Sequence, residues 1–328
     1  MVVGFLYVIT FLIGSGVFYQ FVSTKLDNSK YPPLGKMVDI GGYKLHINST
    51  GTGGPTVVLD AGTGCSSLDW ALVQPEISKF TRVCSYDRAG NGWSEESPLV
   101  RTSQNIVDEL HTLLKNAGIS GPYILVGHSS GGINALLYSS RYPDEVVGVV
   151  LVDSSHEDQL QRFPPEPKSL LGKIVRSRKF SLFLAYIGFL RLACPLARKR
   201  IEMFPEHIQD MYLAKSVTPK FIRLCFEEIS KFEESLKQLK SAGNFLDEKP
   251  LIVITAGKVF EELGGLYSQE YVAEMNKVWK VLQKELVTKS AKGKQLIAER
   301  SNHMITHQQP DIVVEAVREI VNTIAALQ

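Results

Sequence analysis

The sequence predicts an α/β protein built on a mostly parallel sheet with helices on both faces. Three observations predict it. Short apolar runs recur at residues 56–59, 83–86, 123–126, 146–152, 251–255 and 295–298, each ending in a glycine-rich or polar turn. Helical patterns lie between most of these runs. Strands that alternate with helices need crossover connections, which make the strands parallel and bury both faces of the sheet. Finally, one run gives way to a helix through the turn Gly127-His128-Ser129-Ser130-Gly131.

The 328 residues suffice for one large α/β domain with an insertion, or for two smaller domains. Lys plus Arg is 36 against 34 for Asp plus Glu, a net charge of +2, so no nucleic-acid partner is expected. Cys65, Cys84, Cys194 and Cys225 form no C-x-x-C pair, metal-ligand spacing or disulfide framework, and read as buried or idle thiols.

In chain order, residues 2–22 carry no charge and are dominated by Phe, Leu, Ile, Val and Tyr. That is about the 20 apolar residues a spanning helix needs. A basic start and an A-x-A cleavage site, the marks of a secretory leader, are both missing. Residues 1–24 are therefore expected to be a retained single-pass membrane anchor, with 25–36, including Pro32-Pro33, as a linker. Lys25 and Lys30 follow the span but are too few to set which side of the membrane holds the body. Residues 37–40 and 43–48 flank Gly41-Gly42 and read as a hairpin that opens the first part of the core, 37–154. Within it, residues 103–116 place Ile106, Leu110, Leu113 and Leu114 on one helical face, and 133–141 also reads as helix.

The alternation stops between 155 and 249, where helical patterns appear without a convincing strand. This stretch is expected to be a helical cap over the site. Its apolar part, 180–197, is bounded by Arg176, Arg178 and Lys179 and then by Arg198, Lys199 and Arg200. The plainer reading is a cap helix packed on the sheet domain; the alternative is a surface that touches the bilayer and admits lipid-like substrates. Residues 250–328 return to the core and end in a helix over 312–327.

The chemistry-bearing residues sit at the strand ends. The 127–131 turn follows Tyr-Ile-Leu-Val and precedes a helix, the strand, sharp turn and helix order of a nucleophile elbow. It would lift the Ser129 hydroxyl above the sheet at a helix N-terminus, where free N–H groups and the helix dipole favour negative charge. A serine hydroxyl needs an adjacent base held by a third group. His303 follows the last strand directly and is the expected base, with His307 as its rival. The orienting acid is open between Asp153, at the end of the 146–152 run, and Glu261 or Glu262, after 251–255. A plain strand-end capping role for Asp153 competes with the first. The backbone N–H of Ser130 and that of Thr63, in the loop 60–64, are the expected oxyanion donors. Trp70, Trp93 and 180–197 are expected to line or support an apolar pocket.

These residues resemble the α/β-hydrolase fold superfamily over roughly residues 37–326. Besides Gly-His-Ser-Ser-Gly, the stretch Tyr86-Asp87-Arg88-Ala89-Gly90-Asn91-Gly92-Trp93-Ser94 looks like the YDRxGxGxS loop of that superfamily. Asp60-Ala61-Gly62-Thr63-Gly64 stands where many members have an HG-x oxyanion loop, and Ser301-Asn302-His303 followed by the 309–317 segment resembles the usual histidine segment. Two departures stand out: Asp60-Ala61 in place of His-Gly, and no Asp after the seventh family strand. The resemblance implies an eight-stranded sheet, a helical cap and neither metal nor organic cofactor. Haloalkane dehalogenases and epoxide hydrolases carry Asp at the nucleophile position, and Ser129 argues against both.

The resulting expectation is a membrane-anchored carboxylic-ester hydrolase acting on a small-molecule acyl substrate. A proline-type aminopeptidase, a C–C hydrolase or a perhydrolase would use the same site. In the aminopeptidase, Glu202, Glu206, Glu227 or Glu228 would hold a substrate ammonium. A non-catalytic ligand binder that keeps the fold is the alternative from another class.

Overall fold

The computed structural model describes residues 2–165, 179–193, 201–243, 246–258 and 267–326. Its centre is one eight-stranded sheet in the order β1-β2-β4-β3-β5-β6-β7-β8. The strands are β1 (Lys36–Asp39), β2 (Lys44–Thr50), β3 (Thr56–Asp60), β4 (Val83–Tyr86), β5 (Tyr123–His128), β6 (Val146–Val152), β7 (Leu251–Ala256) and β8 (Gly293–Ala298). The pairings β1–β2 and β2–β4 are antiparallel and all the others are parallel.

Every residue of β3, β4, β5 and β7 is buried, as central strands covered on both faces must be. Chain order reverses between β3 and β5, since β4 lies on the far side of β3. The register aligns Asp60 with Gly127, His128 with Val152, and Ala256 with Ala298. The carboxyl ends of β3, β5, β6, β7 and β8 therefore lie along one edge, and their loops meet there. In open α/β sheets the crevice for a ligand forms at this edge, beside the reversal.

The main helices are α1 (Val2–Lys30), α2 (Ser103–Asn116), α3 (Ser130–Arg141), α4 (Glu206–Ser216), α5 (Pro219–Ala242), α6 (Gln269–Val287) and α7 (Pro310–Ala325). One sheet face packs Val58, Leu125 and Leu151 against Leu113, Ile133 and Leu136 of α2 and α3. The other packs Val126, Val150 and Ile254 against Trp279 of α6 and Val313, Val317 and Ile320 of α7. Helix α6 has no counterpart in the sequence reading, although Met275, Trp279, Leu282 and Leu286 form a buried stripe at helical spacing.

Between β6 and β7 the described residues form helices and no strand. Helix α5, in the stretch expected to be a cap, is part of the body of the protein. Its Leu236 and Leu239 join the main core cluster, and Ser235 Oγ accepts the Ser103 amide at 2.9 Å. Helix α1 continues to Lys30, well into the stretch read as a linker. Its polar end is held: Lys215 donates to Asn28 Oδ1 at 2.8 Å, Arg191 pairs with Asp27, and Gln20 is buried.

Candidate active site

Ser129 stands between β5 and α3 with φ 55° and ψ −121°. That region is unfavourable for a residue with a Cβ, at about 1–3 kcal/mol, and persists only where the surroundings over-determine it. Here they do. Ser129 donates its amide to the Val152 carbonyl at 3.1 Å, and its own carbonyl accepts the Gly132 and Ser155 amides, each at 3.0 Å. The flanking glycines are required by close approach. A Cβ at Gly127 would fall 2.4 Å from the Gly131 carbonyl oxygen, and one at Gly131 would fall 2.3 Å from that of Asp60.

His303 comes from the loop after β8. Its Nδ1 lies 2.6 Å from Asp153 Oδ2; the Asp153 side chain is fully buried, while the imidazole keeps 26% exposure. Asp153 is the second non-glycine residue of the site at positive φ, 41°. Its other oxygen, Oδ1, accepts the Ala256 amide and the Trp279 indole N–H, each at 3.0 Å. The carboxylate is thus aimed from three sides. The Trp279 ring also meets the His303 ring edge-on, with centroids 6.3 Å apart.

His128 ties this loop to the elbow. Its Nε2–H donates to the His303 carbonyl at 2.9 Å, and the two rings lie 4.8 Å apart between centroids. Burial, together with the neighbouring His303, pushes His128 down to about 3, so it is neutral at ordinary pH. In the sequence His128 is legible only as part of the 127–131 turn; the tie exists because β5 and β8 end at one edge.

His307, the rival base, is committed elsewhere. It is almost fully buried, its Nε2 lies 3.1 Å from Asp69 Oδ1, and its ring packs on Phe204. Asp69 in turn closes a capping box with Ser66. Glu261 and Glu262, the alternative acids, lie outside the described residues.

The loop 60–64 reaches the elbow. Thr63 Oγ1 lies 3.0 Å from Ser130 Oγ, and a Cβ at Gly62 would fall 3.0 Å from that of Ser129. What holds this loop is Arg88, which the sequence marked only as part of a motif. Its guanidinium donates to the Ala61 carbonyl at 2.5 Å, the Gly62 carbonyl at 2.7 Å and Asp60 Oδ1 at 2.8 Å. It also pairs with both oxygens of Glu228 from α5, at 2.8 and 3.2 Å.

Burial alone would lower the Arg88 pKa, but the charges of Glu228 and Asp60 overcome it and raise it. Burial raises the Asp60 carboxyl despite Arg88 beside it, and Asn134 donates to its second oxygen at 2.9 Å. The Asp60 departure from His-Gly is thereby explained: the residue is a buried counterion for Arg88. Its neighbour Asp87 is buried against His46 at 2.9 Å. Burial would push that carboxyl up, but His46 and the amides of Ser67 and Trp93 bring it below its ordinary value.

Two aromatic expectations change. Trp70 is a core residue, 1% exposed. Trp93 packs on His46 and donates its indole N–H to the Tyr31 carbonyl. Neither makes a described contact with Ser129 or His303, and in the third segment expected at the pocket, 180–197, Phe180, Phe183, Phe189 and Leu192 are exposed instead of enclosed in a pocket.

The comparisons with known proteins agree with this architecture. A family model described as alpha/beta hydrolase fold matches residues 54–252, more than half of the chain. The uncharacterized protein YqjL of Bacillus subtilis (strain 168) is 26% identical over 287 residues, covering 87% of this chain and 91% of that protein. The crystal structure of DbjA superposes with a TM-score of 0.64 at 16% identity, covering 89% of this chain and 99% of that one. Est816, described as an N-acyl homoserine lactone degrading enzyme, superposes with a TM-score of 0.61 at 16% identity, covering 87% and 99%. At those identities the two structures speak for the fold alone. With the family model, the eight-stranded sheet and the strand-to-helix turn at Ser129 in agreement, the chain belongs to the α/β-hydrolase fold family.

Proposed function

We propose that this protein is a serine hydrolase that cleaves a carboxylic ester or a closely related acyl bond, with Ser129 as nucleophile, His303 as base and Asp153 as the acid that orients it. The observation that carries this reading is the buried Asp153 carboxylate, 2.6 Å from His303 Nδ1, on a loop whose backbone is tied to the residue before Ser129.

The steps follow from the roles. Asp153 holds the His303 tautomer that carries its proton on Nδ1, so that Nε2 is unprotonated and can act as the acceptor. Ser129 Oγ attacks the substrate carbonyl carbon while its proton passes to His303 Nε2. The amides of Ser130 and Thr63 stabilise the oxyanion of the tetrahedral intermediate. The C–O bond to the leaving alcohol breaks, and His303 Nε2 returns the proton to that oxygen. A water molecule, deprotonated by His303, then attacks the acyl-enzyme, releasing the acid and restoring Ser129.

The aminopeptidase alternative needs a free carboxylate in the pocket. Glu228 has both oxygens on Arg88, and Glu202, Glu206 and Glu227 are exposed, so the geometry favours the ester reading. Helix α1 is long and apolar enough to cross a membrane and is the proposed single-pass anchor. Labelling with a fluorophosphonate probe, and hydrolysis of short to long acyl esters, tests the chemistry. Ser129→Ala is expected to abolish labelling and lower turnover by up to about 10⁶; hydrolysis that survives Ser129→Ala unchanged would overturn the mechanism.

A further inference from the structure

The sequence singled out the apolar, base-flanked part of the cap without deciding what it meets. Residues 179–186 are helical and are followed by the short helix Phe189–Ala193. Phe180, Phe183, Phe189 and Leu192 are each between 45% and 63% exposed, and Tyr186, in register between them, is 40% exposed with its hydroxyl accepting from Arg223 at the edge of the face. Water is a poor partner for so regular an apolar face, whereas scattered single apolar residues would need no explanation.

The neighbour of this face is α1. A Cβ at Gly16 would fall 2.5 Å from the Ile187 carbonyl oxygen, and one at Gly188 would fall 2.8 Å from Tyr19 Cδ1. The cap therefore touches α1 inside the uncharged run that ends at Val22. Gly16 and Tyr19 lie six and three residues before that end. At 1.5 Å per residue they sit about 9 and 4.5 Å below it. This matches the roughly 5–10 Å to which an interfacial helix buries its apolar face. Arg191, at the end of the segment, reaches along α1 from within the uncharged run, where it donates to Gln20 at 3.1 Å, to its partner Asp27 past the end of that run, as a long side chain that carries its charge toward the headgroups does. The sequence also brackets the apolar run with Arg176, Arg178 and Lys179 before it and Arg198, Lys199 and Arg200 after it, a charge suited to anionic headgroups.

We infer that residues 180–192 form a membrane-docking face of the cap, dipping into the same leaflet that α1 enters, so that an acyl substrate is delivered to the cap from the bilayer. The inference rests on α1 lying in a membrane. It goes beyond the serine-hydrolase reading by naming a lipid-borne substrate class.

The test uses the full chain in vesicles of phosphatidylcholine and phosphatidylglycerol, a lipid-phase diazirine probe, and peptide mapping of the photolabel. Label is expected on peptides from both 2–22 and 180–192, and the double substitution Phe183→Asp with Leu192→Asp is expected to remove the second label alone. Label confined to 2–22 overturns the docking face and leaves the anchor; no label on 2–22 overturns both. The same double variant is expected to hydrolyse a long-chain ester held in vesicles roughly tenfold more slowly or worse, the factor that one lost buried apolar side chain carries. Its rate on a soluble short-chain ester is expected to stay the same, and an equal loss on both substrates overturns delivery from the bilayer. Fluorophosphonate labelling of the same samples reports the Ser129 chemistry independently.

Discussion

Asp153 is the most constrained side chain of the proposed triad. Both of its oxygens are committed, to His303 on one side and to Ala256 and Trp279 on the other. Asp153→Asn keeps the volume but allows the wrong imidazole tautomer, and turnover is expected to fall about 10⁴-fold with the fold retained; steady-state kinetics beside a thermal melt checks this. Trp279→Phe removes one donor to the carboxylate, an interaction of about 1.5–3 kcal/mol for a charged acceptor. It is expected to lower kcat about tenfold or more while KM stays near its value. His128 gives a pH dependence of stability. The unfolded chain takes up a proton on this residue below about 6.5, whereas the folded chain does so only near 3. Stability from this residue is therefore fully present above 6.5 and lost on acidification toward 3. His128→Gln is expected to flatten the fall in Tm across that window.

At the scale of elements, the candidate site is a meeting of four loops, those after β3, β5, β6 and β8, made possible by missing side chains. Gly131→Ala places a methyl group 2.3 Å from the Asp60 carbonyl, a backbone atom that cannot swing aside. The overpacking is expected to cost about 1–3 kcal/mol of stability. Turnover should fall further than stability does, because relief of the clash separates the 60–64 loop from the elbow; urea unfolding and ester hydrolysis on one preparation distinguish the two. Arg88 connects the same loop to α5. Glu228→Leu leaves the buried guanidinium short of one counterion and is expected to destabilise by about 3–5 kcal/mol, again read from urea unfolding. The cap's long helix and the proposed oxyanion loop thus share one buried cation.

At the scale of the whole molecule, the N-terminal helix and the body are joined by a set of polar side-chain contacts. Lys215 is buried against Asn28 of α1 and lies over the Trp93 ring, and burial brings its pKa down to about 8. Arg191 and Gln20 add further ties. Removal of residues 2–14 leaves these contacts in place, whereas removal of 2–30 strips them all. The longer deletion is expected to melt several degrees below the shorter one in the same detergent, at about 2–4 °C per kcal/mol for a chain of this order. Equal melting temperatures would show that the ties do not stabilise the body.

The alternation of apolar runs with helical patterns determined the sheet class. The strand at 83–86, the strand at 146–152 and the helix at 103–116 stand at the positions read from the sequence. Local signals suffice there, because strand burial and turn chemistry are written in adjacent residues. The turn at 127–131 was readable for the same reason. The choice between His303 and His307 was not decided locally: both follow β8, and only packing commits His307 to Asp69 and brings His303 beside Asp153. The roles of Arg88, Glu228, Trp279 and His128 arise from partners many residues away, aligned by the parallel register at one sheet edge. The same holds for α1, whose composition reads as an anchor, whereas its attachment to the cap depends on contacts at Gly16, Tyr19 and Asn28 that exist only once the chain has folded.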